Sequence, residues 1–340
     1  MNLKQLSQHL NLSQTTVSRA LNGYPEVSEK TRERVMQAAR DLNYSPNARA
    51  QGLATGRART IGHVIPVSTK HEMVNPIFGD YIAGAGEAYV RAGYEMMLSL
   101  VDDQREEEFY RQLRARGNVD GIIVHGPRMA DPRIALLNEL GLPFVVHGRA
   151  SEVNAPYSWV DTNNGRAFRR ATEFLLDLGH RRIALINGLE FMDFAFRRRQ
   201  GYASALAARD IALDPGLMRS QEMTEVYGYQ SARQMLDASA PPTAFLVASM
   251  ITAIGVRRAI HAAGLTMGRD VSVITHDDDL SYLKNGHDVP IFTATRSSVR
   301  DAGTRSAEML LEKIRCPDRP PETELMEADL IIGTSTGPAP

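Results

Sequence analysis

From Thr60 onward the chain alternates short β-rich runs with amphipathic helical patterns, and few architectures accept that rhythm. The runs are "TIGHVIPV", "YEMMLSLV", "VDGIIVHG", "PFVVHG", "RIALING", "TAFLVAS" and "DVSVITHD". Helical patterns of a dozen residues or more separate most of them, as at 77–92, 104–116, 163–179, 193–209 and 250–263. Strands joined by helices must run parallel, and parallel strands are buried on both faces, so the alternation predicts sheets covered by helices on each side. Glycine closes several helical patterns, as in Leu178-Gly179 and Ala263-Gly264, where the left-handed cap favours it. The pattern runs twice. It predicts two lobes with a cleft between them, lobe 1 over about 60–158 and 291–320 and lobe 2 over about 160–289 and 322–333. Residues 334–340 are expected to be a frayed tail.

Residues 1–45 have a different texture, that of three short helices. "LKQLSQHL" puts Leu3, Leu6 and Leu10 on one face, "SQTTVSRAL" starts at a capping serine, Ser13, and "SEKTRERVMQAARDL" starts at another, Ser28. Leu6 to Asn22 is the most specific stretch. Asn11 occupies the turn between two short helices, where asparagine tolerates left-handed backbone, and Leu6, Leu10, Val17 and Leu21 supply the seam of a helix-turn-helix. That leaves Gln14, Thr15, Thr16, Ser18 and Arg19 outward at the start of the second helix, the part that reaches base edges in the major groove. Gln14 suits adenine, and Arg19 suits guanine or a phosphate. Leu3, Ser13 and Asn22 border this face and complete the candidate DNA-contacting set. A plain helical hairpin inside another domain is the structural alternative.

Charge favours the DNA reading. Net charge is −1 over the chain, yet residues 1–59 hold nine basic and four acidic side chains, a basic module on an acidic body. The single cysteine, Cys316, excludes an internal disulfide framework and fits a reducing compartment. No apolar run approaches the roughly 20 residues of a membrane span, and "MNLKQLSQHL" lacks the apolar segment of a signal peptide, so a cytoplasmic location without membrane contact is expected.

"TTVSRALNG", followed by "VSEKTRERVMQAARDLNYSPNARAQGLATGRARTIG", closely resembles the LacI/GalR family of bacterial transcription regulators. The likeness continues through "NPIFGDYIAGAGEAYVRAGYEMML", "VDTNNGRAFRRATEFLLDLGHRRIALING" and "RRRQGYASAL", and about nine-tenths of the chain follows the pattern. The resemblance implies an N-terminal all-α helix-turn-helix domain (1–45), a hinge (46–58), and an α/β two-lobed periplasmic-binding-protein-like body with parallel sheets (59–333). It also implies that the hinge folds on the operator and wedges a leucine into the minor groove. Leu53 matches that leucine, with Asn47, Ala50 and Gln51 around it. An eight-residue helix is unstable alone, and Gly52 weakens it by about another 1 kcal/mol, which suits a segment that orders only on DNA. A passive linker is the alternative. Ser7 and Asn11 stand where the family often has alanine and glycine, and Gln14 and Thr15 fall at its variable specificity positions.

Inside the body an enzyme would need a catalytic constellation or cofactor loop. No GxGxxG follows the first strand, and P-loop, HExxH and GxSxG motifs are absent. No enzyme, cofactor or metal is expected. A sugar needs planar polar groups and an apolar platform. Strand ends and the family pattern select Phe78, His147, Trp159, Asp161, Arg198, Ser249, Asp277 and Arg296 as effector-binding candidates. Asp277 falls at a family ligand-binding aspartate, and Arg198 at an arginine three residues before a glycine, here Gly201. Bland readings stand beside these: Phe78 and Trp159 as plain core, His147 as a hydrogen-bonded core histidine, Asp161 as a helix cap. Where many members read "VAND" this chain reads "VASM", so Ser249 and Met250 replace the usual amide and carboxylate, and Arg296 replaces a frequent glutamine. The expected protein is a homodimeric regulator, a repressor of carbohydrate-utilisation genes. It would bind palindromic operator DNA under control of a small sugar-like effector. A nucleoside or purine corepressor is the alternative; a solute-binding protein or sugar-modifying enzyme is disfavoured.

Overall fold

The computed structural model describes residues 1–44, 57–66 and 74–340. At the N-terminus α1 (Leu3–Leu10), α2 (Gln14–Leu21) and α3 (Glu29–Asp41) pack around Leu6, Leu10, Val17, Ala20 and Val35, all buried. Asn2 and Gln5 form a reciprocal capping box on α1, and Asn11 ends it at φ 53°, ψ 42°, the left-handed turn that the two-helix reading requires. Ser7 is buried and donates to the Lys4 carbonyl at 2.8 Å, so a hydroxyl fits this tight crossing at no unsatisfied cost. The hinge positions Asn47, Ala50, Gln51 and Leu53 lie outside the described residues.

The body has two six-stranded sheets. In lobe 1 the order is β11 (Thr323–Met326), β5 (Ser158–Thr162), β4 (Phe144–His147), β3 (Gly121–His125), β1 (Thr60–Pro66), β2 (Glu95–Val101), all parallel. In lobe 2 it is β12 (Asp329–Ile331), β10 (Thr293–Arg296), β9 (Ser272–Asp277), β8 (Ala244–Val247), β6 (Ile183–Asn187), β7 (Met218–Ser220), with only β12 antiparallel. Helices α4 (Pro76–Ala92), α5 (Glu106–Arg116), α6 (Pro132–Leu140) and α11 (Val299–Arg315) cover lobe 1. Helices α7 (Asn164–Asp177), α8 (Asp193–Ala207), α9 (Glu225–Leu236) and α10 (Met250–Ala262) cover lobe 2. Ile122, Ile123, Val145 and Val146 in one sheet, and Ile183, Leu185, Ile186 and Leu246 in the other, are fully buried, each contributing about 1.5–3 kcal/mol.

The chain crosses between lobes three times, after β5, after β10 and after β11, and this corrects the expected lobe limits. Residues 293–296 pair with β9 and belong to lobe 2, whereas 323–326 pair with β5 and belong to lobe 1. Which sheet a late strand joins is decided by pairing with residues far away in sequence, which local pattern does not carry. The tail is not frayed either. Ser335 is fully buried, its carbonyl accepts from Val273 N–H at 2.8 Å and its hydroxyl from Thr293 N–H at 2.8 Å, while Ala339 N–H donates to the Leu178 carbonyl at 2.9 Å. These bonds satisfy backbone groups near the starts of β9 and β10 and at the end of α7.

Two local features make testable demands. Helices α7 and α8 approach so closely that a Cβ on Gly201 would lie 2.1 Å from the Gly165 carbonyl oxygen. Gly201→Ala should therefore destabilise the body by about 1–3 kcal/mol, read as a lower thermal midpoint; an unchanged midpoint would show that the helices separate at no cost. In lobe 1, His63 is fully buried with Nδ1 2.9 Å from His125 Nε2 and Nε2 3.0 Å from the Tyr89 hydroxyl, a chain that neutral rings complete. Burial pushes the His63 imidazole down to about 3 and His125 well below the usual range. Both folded values lie below the unfolded one, so the unfolded chain binds more protons on acidification. Stability is full above about pH 6.5 and is lost as pH falls, at up to about 1.4 kcal/mol per pH unit per histidine. Urea midpoints between pH 7.5 and 5 should fall with pH in the native protein and less steeply in His63→Gln; equal slopes would contradict this.

Candidate functional site

On the N-terminal domain the exposed start of α2 carries Gln14 and Thr15, with Arg19 exposed one turn further on. Ser13 spends its hydroxyl on the cap, accepting from Thr16 N–H at 3.0 Å and pairing with the Thr16 hydroxyl at 2.8 Å. Asn22 turns its amide back onto the Ser18 carbonyl at 2.8 Å, and Leu3 is half-buried against the three-helix core. Of the sequence-selected set, Gln14, Thr15 and Arg19 thus present the most open polar surface. The others chiefly hold the helix in place.

Between the lobes lies a cavity of about 490 Å³, within the range that holds small ligands. Phe78 and Tyr81 from α4, His125 from β3 and His147 from β4 line it on the lobe 1 side. Phe194 and Arg198 from α8, with His276 and Asp278 at the end of β9, line it on the lobe 2 side. Asp161 and Asn164 enter from the first crossing. His147 stacks on Tyr81 with ring centroids 4.2 Å apart, and burial lowers its imidazole to about 4, so it faces the cavity neutral.

Arg198 is 6% exposed and its charge is held without a carboxylate in direct contact. Nε donates to Asn164 Oδ1 at 2.7 Å and Nη1 to the Ala248 carbonyl at 2.7 Å. The Phe168 and Phe194 rings flank the guanidinium at 4.9 and 5.1 Å. Burial lowers its pKa to about 10, so the group stays charged near neutrality. Asn164 is oriented in turn by donating to the Thr162 carbonyl at 3.0 Å and to Asp161 Oδ1 at 3.4 Å. Asp161 accepts from Arg149 Nε at 2.7 Å, and Arg149 lies 5.0 Å above the Trp159 ring.

Phe78, His147, Asp161 and Arg198 therefore come together in the cavity wall, and Trp159, Ser249, Asp277 and Arg296 do not. Trp159 packs beneath Arg149 on the lobe 1 core and acts through it on Asp161. Ser249 is buried as the α10 cap, accepting from Thr252 N–H at 3.2 Å. Asp277 is 4% exposed and accepts from Asp279 N–H at 2.9 Å, while the next aspartate, Asp278, reaches the cavity. Arg296 pairs with Asp279 away from the wall. Local sequence could not choose among three consecutive aspartates, because the register of a strand end decides which one turns inward. His125 was readable: it ends "GIIVH" as His147 ends "FVVH", and the two are register partners on adjacent strands. Asn164, Phe194 and Tyr81 carried no comparable signal. Among the described residues no cluster of three or more His, Cys, Asp or Glu is arranged to hold a metal ion. No described helix is long and apolar enough to cross a membrane.

Two carboxylates tie the lobes together beside the cavity. Asp193 at the start of α8 accepts from Ser151 N–H of lobe 1 at 2.6 Å, and its own N–H donates to the Pro127 carbonyl at 3.0 Å. Asp80 of α4 accepts from the Ser281 N–H and hydroxyl at 2.8 and 2.6 Å, next to Leu280, which is buried in the lobe 1 core.

Comparison with known proteins agrees with this architecture. The pattern described as "Bacterial regulatory proteins, lacI family" matches residues 4–47, and that of a periplasmic binding protein-like domain matches 172–336. The HTH-type transcriptional regulator AglR of Rhizobium meliloti (strain 1021) is 47% identical over 341 residues, spanning 100% of this chain and 95% of the relative. Among solved structures, the lac repressor dimer bound to operator and the anti-inducer ONPF superposes with a TM-score of 0.85 at 26% identity over 99% of both chains. A CelR–cellobiose complex superposes with a TM-score of 0.73 at 28% identity over 98% of this chain and 99% of that one. The chain belongs to the LacI family, and it is a DNA-binding transcription regulator rather than an enzyme.

Proposed function

We propose that this regulator is a homodimeric repressor of carbohydrate-utilisation genes whose hold on a palindromic operator is set by a sugar or glycoside bound between its lobes. The interlobe cavity carries the reading. It sets the aromatic faces of Phe78 and Phe194 beside the planar groups of Arg198, Asn164 and Asp278. Sugar C–H faces stack on rings while vicinal hydroxyls pair with planar donors and acceptors, so this mixture suits a polyhydroxyl ring. The similar CelR structure holds cellobiose, which supports the same ligand class here.

A ligand that contacts both lobes favours whichever lobe arrangement makes those contacts, and so shifts the population toward it. Transmission to DNA would run through the hinge, with Leu53 as the wedge and Asn47, Ala50 and Gln51 beside it; cytoplasmic residence follows from that role. Dimerisation is supported by β2, an edge strand of lobe 1 that leaves Leu98 and Leu100 41% and 59% exposed. One head reads few base pairs, and a palindrome read by two supplies the rest.

A thermal-shift screen of sugars, polyols and nucleosides tests the ligand class, followed by operator titration with each stabilising compound. A sugar that stabilises the protein and changes operator affinity is expected; stabilisation by nucleosides alone would replace this reading with the nucleoside one. Arg198→Met should weaken the responding sugar on the order of tenfold to a hundredfold and leave operator binding in place. Leu53→Ala should lower operator affinity by more than about tenfold without altering the sugar-induced shift. Unchanged DNA affinity in that variant would make the segment a passive linker.

A further inference from the structure

An aspartate, Asp120, stands immediately before β3 and outside the wall of the effector cavity. It faces residues 57–59, which lead from the N-terminal domain into β1. Ala58 N–H donates to Asp120 Oδ1 at 2.7 Å and Arg59 N–H to Asp120 Oδ2 at 2.9 Å, one carboxylate oxygen for each amide. The carbonyls are taken as well. The Thr60 hydroxyl donates to that of Ala58 at 3.2 Å, and Glu95 N–H to that of Arg59 at 2.8 Å. Asp120 is held in turn, its own N–H donating to the Thr60 carbonyl at 2.8 Å. Every backbone polar group of Ala58 and Arg59 thus ends on lobe 1.

Hydrogen bonds to an ionised carboxylate are roughly twice as strong as those between neutral groups, so Asp120 outweighs the other partners of this segment. Arg59 lies at φ 50°, in the left-handed region that an arginine seldom takes, and such backbone persists only where its surroundings fix it. The amide of the turning residue and the one before it converge on a single anion. That carboxylate therefore sets both the point and the direction in which the chain leaves β1. Released, residues 57–59 could reach up to about 10 Å. One base pair of duplex is about 3.4 Å. The slack of a single head would then exceed the step from one half-site spacing to the next.

We infer that Asp120 is a positioning residue for DNA binding, the carboxylate by which lobe 1 grips the chain carrying the helix-turn-helix and so defines which half-site spacing the protein accepts. The inference rests on the reading of this regulator as a homodimer on a palindrome. In this role Asp120 touches no DNA. It removes slack, so that a shift of lobe 1 arrives at the head as a displacement of fixed direction.

The test uses the full-length protein and a palindromic duplex that the native protein selects from a randomised library, beside a second duplex with one more base pair between its half-sites. Native protein should prefer the selected spacing by at least about tenfold. Asp120→Ala, which deletes both acceptors, should weaken binding to the selected duplex about tenfold or more and shrink the preference to about threefold or less. Asp120→Asn keeps one acceptor oxygen, should fall between the two, and decides the matter where the alanine variant does not fold. A residue that only supports the fold would lower the thermal midpoint and weaken both duplexes equally, with the preference between them unchanged. That result overturns the inference, as does native-like affinity and spacing preference in both variants. Native protein that shows no spacing preference sinks the palindrome reading itself, and the inference falls with it.

Discussion

A guanidinium taken out of water must be satisfied where it lies, and Arg198 imposes that requirement on the centre of this protein. Its Nε and Nη1 donate to Asn164 Oδ1 and the Ala248 carbonyl, and Phe168 and Phe194 flank its faces. Asn164 stands just after the first crossing between lobes, and Ala248 just after β8. The charge thereby fixes the crossing segment, the end of a lobe 2 strand and the start of α7 in one arrangement, because an uncompensated buried cation costs more than any of its single contacts returns. The cavity wall is the outer face of that arrangement.

Around this fixed centre the lobes are joined differently on the two sides. Three covalent crossings run through one region, while Asp193 with Ser151 and Asp80 with Ser281 close others by hydrogen bonds, the second beside Leu280 in the lobe 1 core. Covalent crossings permit rotation about themselves, whereas hydrogen bonds across a cleft can be exchanged for water or for a ligand hydroxyl. Breaking those bonds would release the part of the body that resists lobe rotation, while leaving both sheets intact. That division is what a two-state device needs, with rigid halves and a contact set that differs between states.

Much of the architecture was legible in the sequence because it is set by local rules. The helix-turn-helix follows from Asn11 in a left-handed turn and from Leu6, Leu10 and Val17 on one seam. The two parallel sheets follow from fully apolar runs alternating with amphipathic helices. What was not legible depends on distant partners. Nothing local in the residues of β10 and β11 says which sheet they join, and only pairing with β9 and β5 assigns them. Ser335 reads as part of a loose polar tail until β9 and β10 are seen to need it. Phe78, His147, Asp161 and Arg198 could be placed near the cavity because strand ends and helix starts open onto clefts and because of the family pattern, which alone singled out Arg198. Asp278, not the selected Asp277, reaches the wall, and Ser249 serves as a buried cap, because a cap and a ligand contact ask for the same hydroxyl.

Trp159 is the only tryptophan in the chain, and its position has a practical meaning. The indole sits under Arg149, whose Nε holds Asp161, which in turn orients Asn164 and so Arg198. Indole emission responds to a cation over the ring and to access of water. A ligand that draws Asp161 toward itself must disturb Arg149, and with it the fluorophore, though the fluorophore never touches the ligand. Trp159 is thus joined by four side chains to the cavity, so that a change at Asp161 would reach an intrinsic fluorophore and could be followed without attaching a dye.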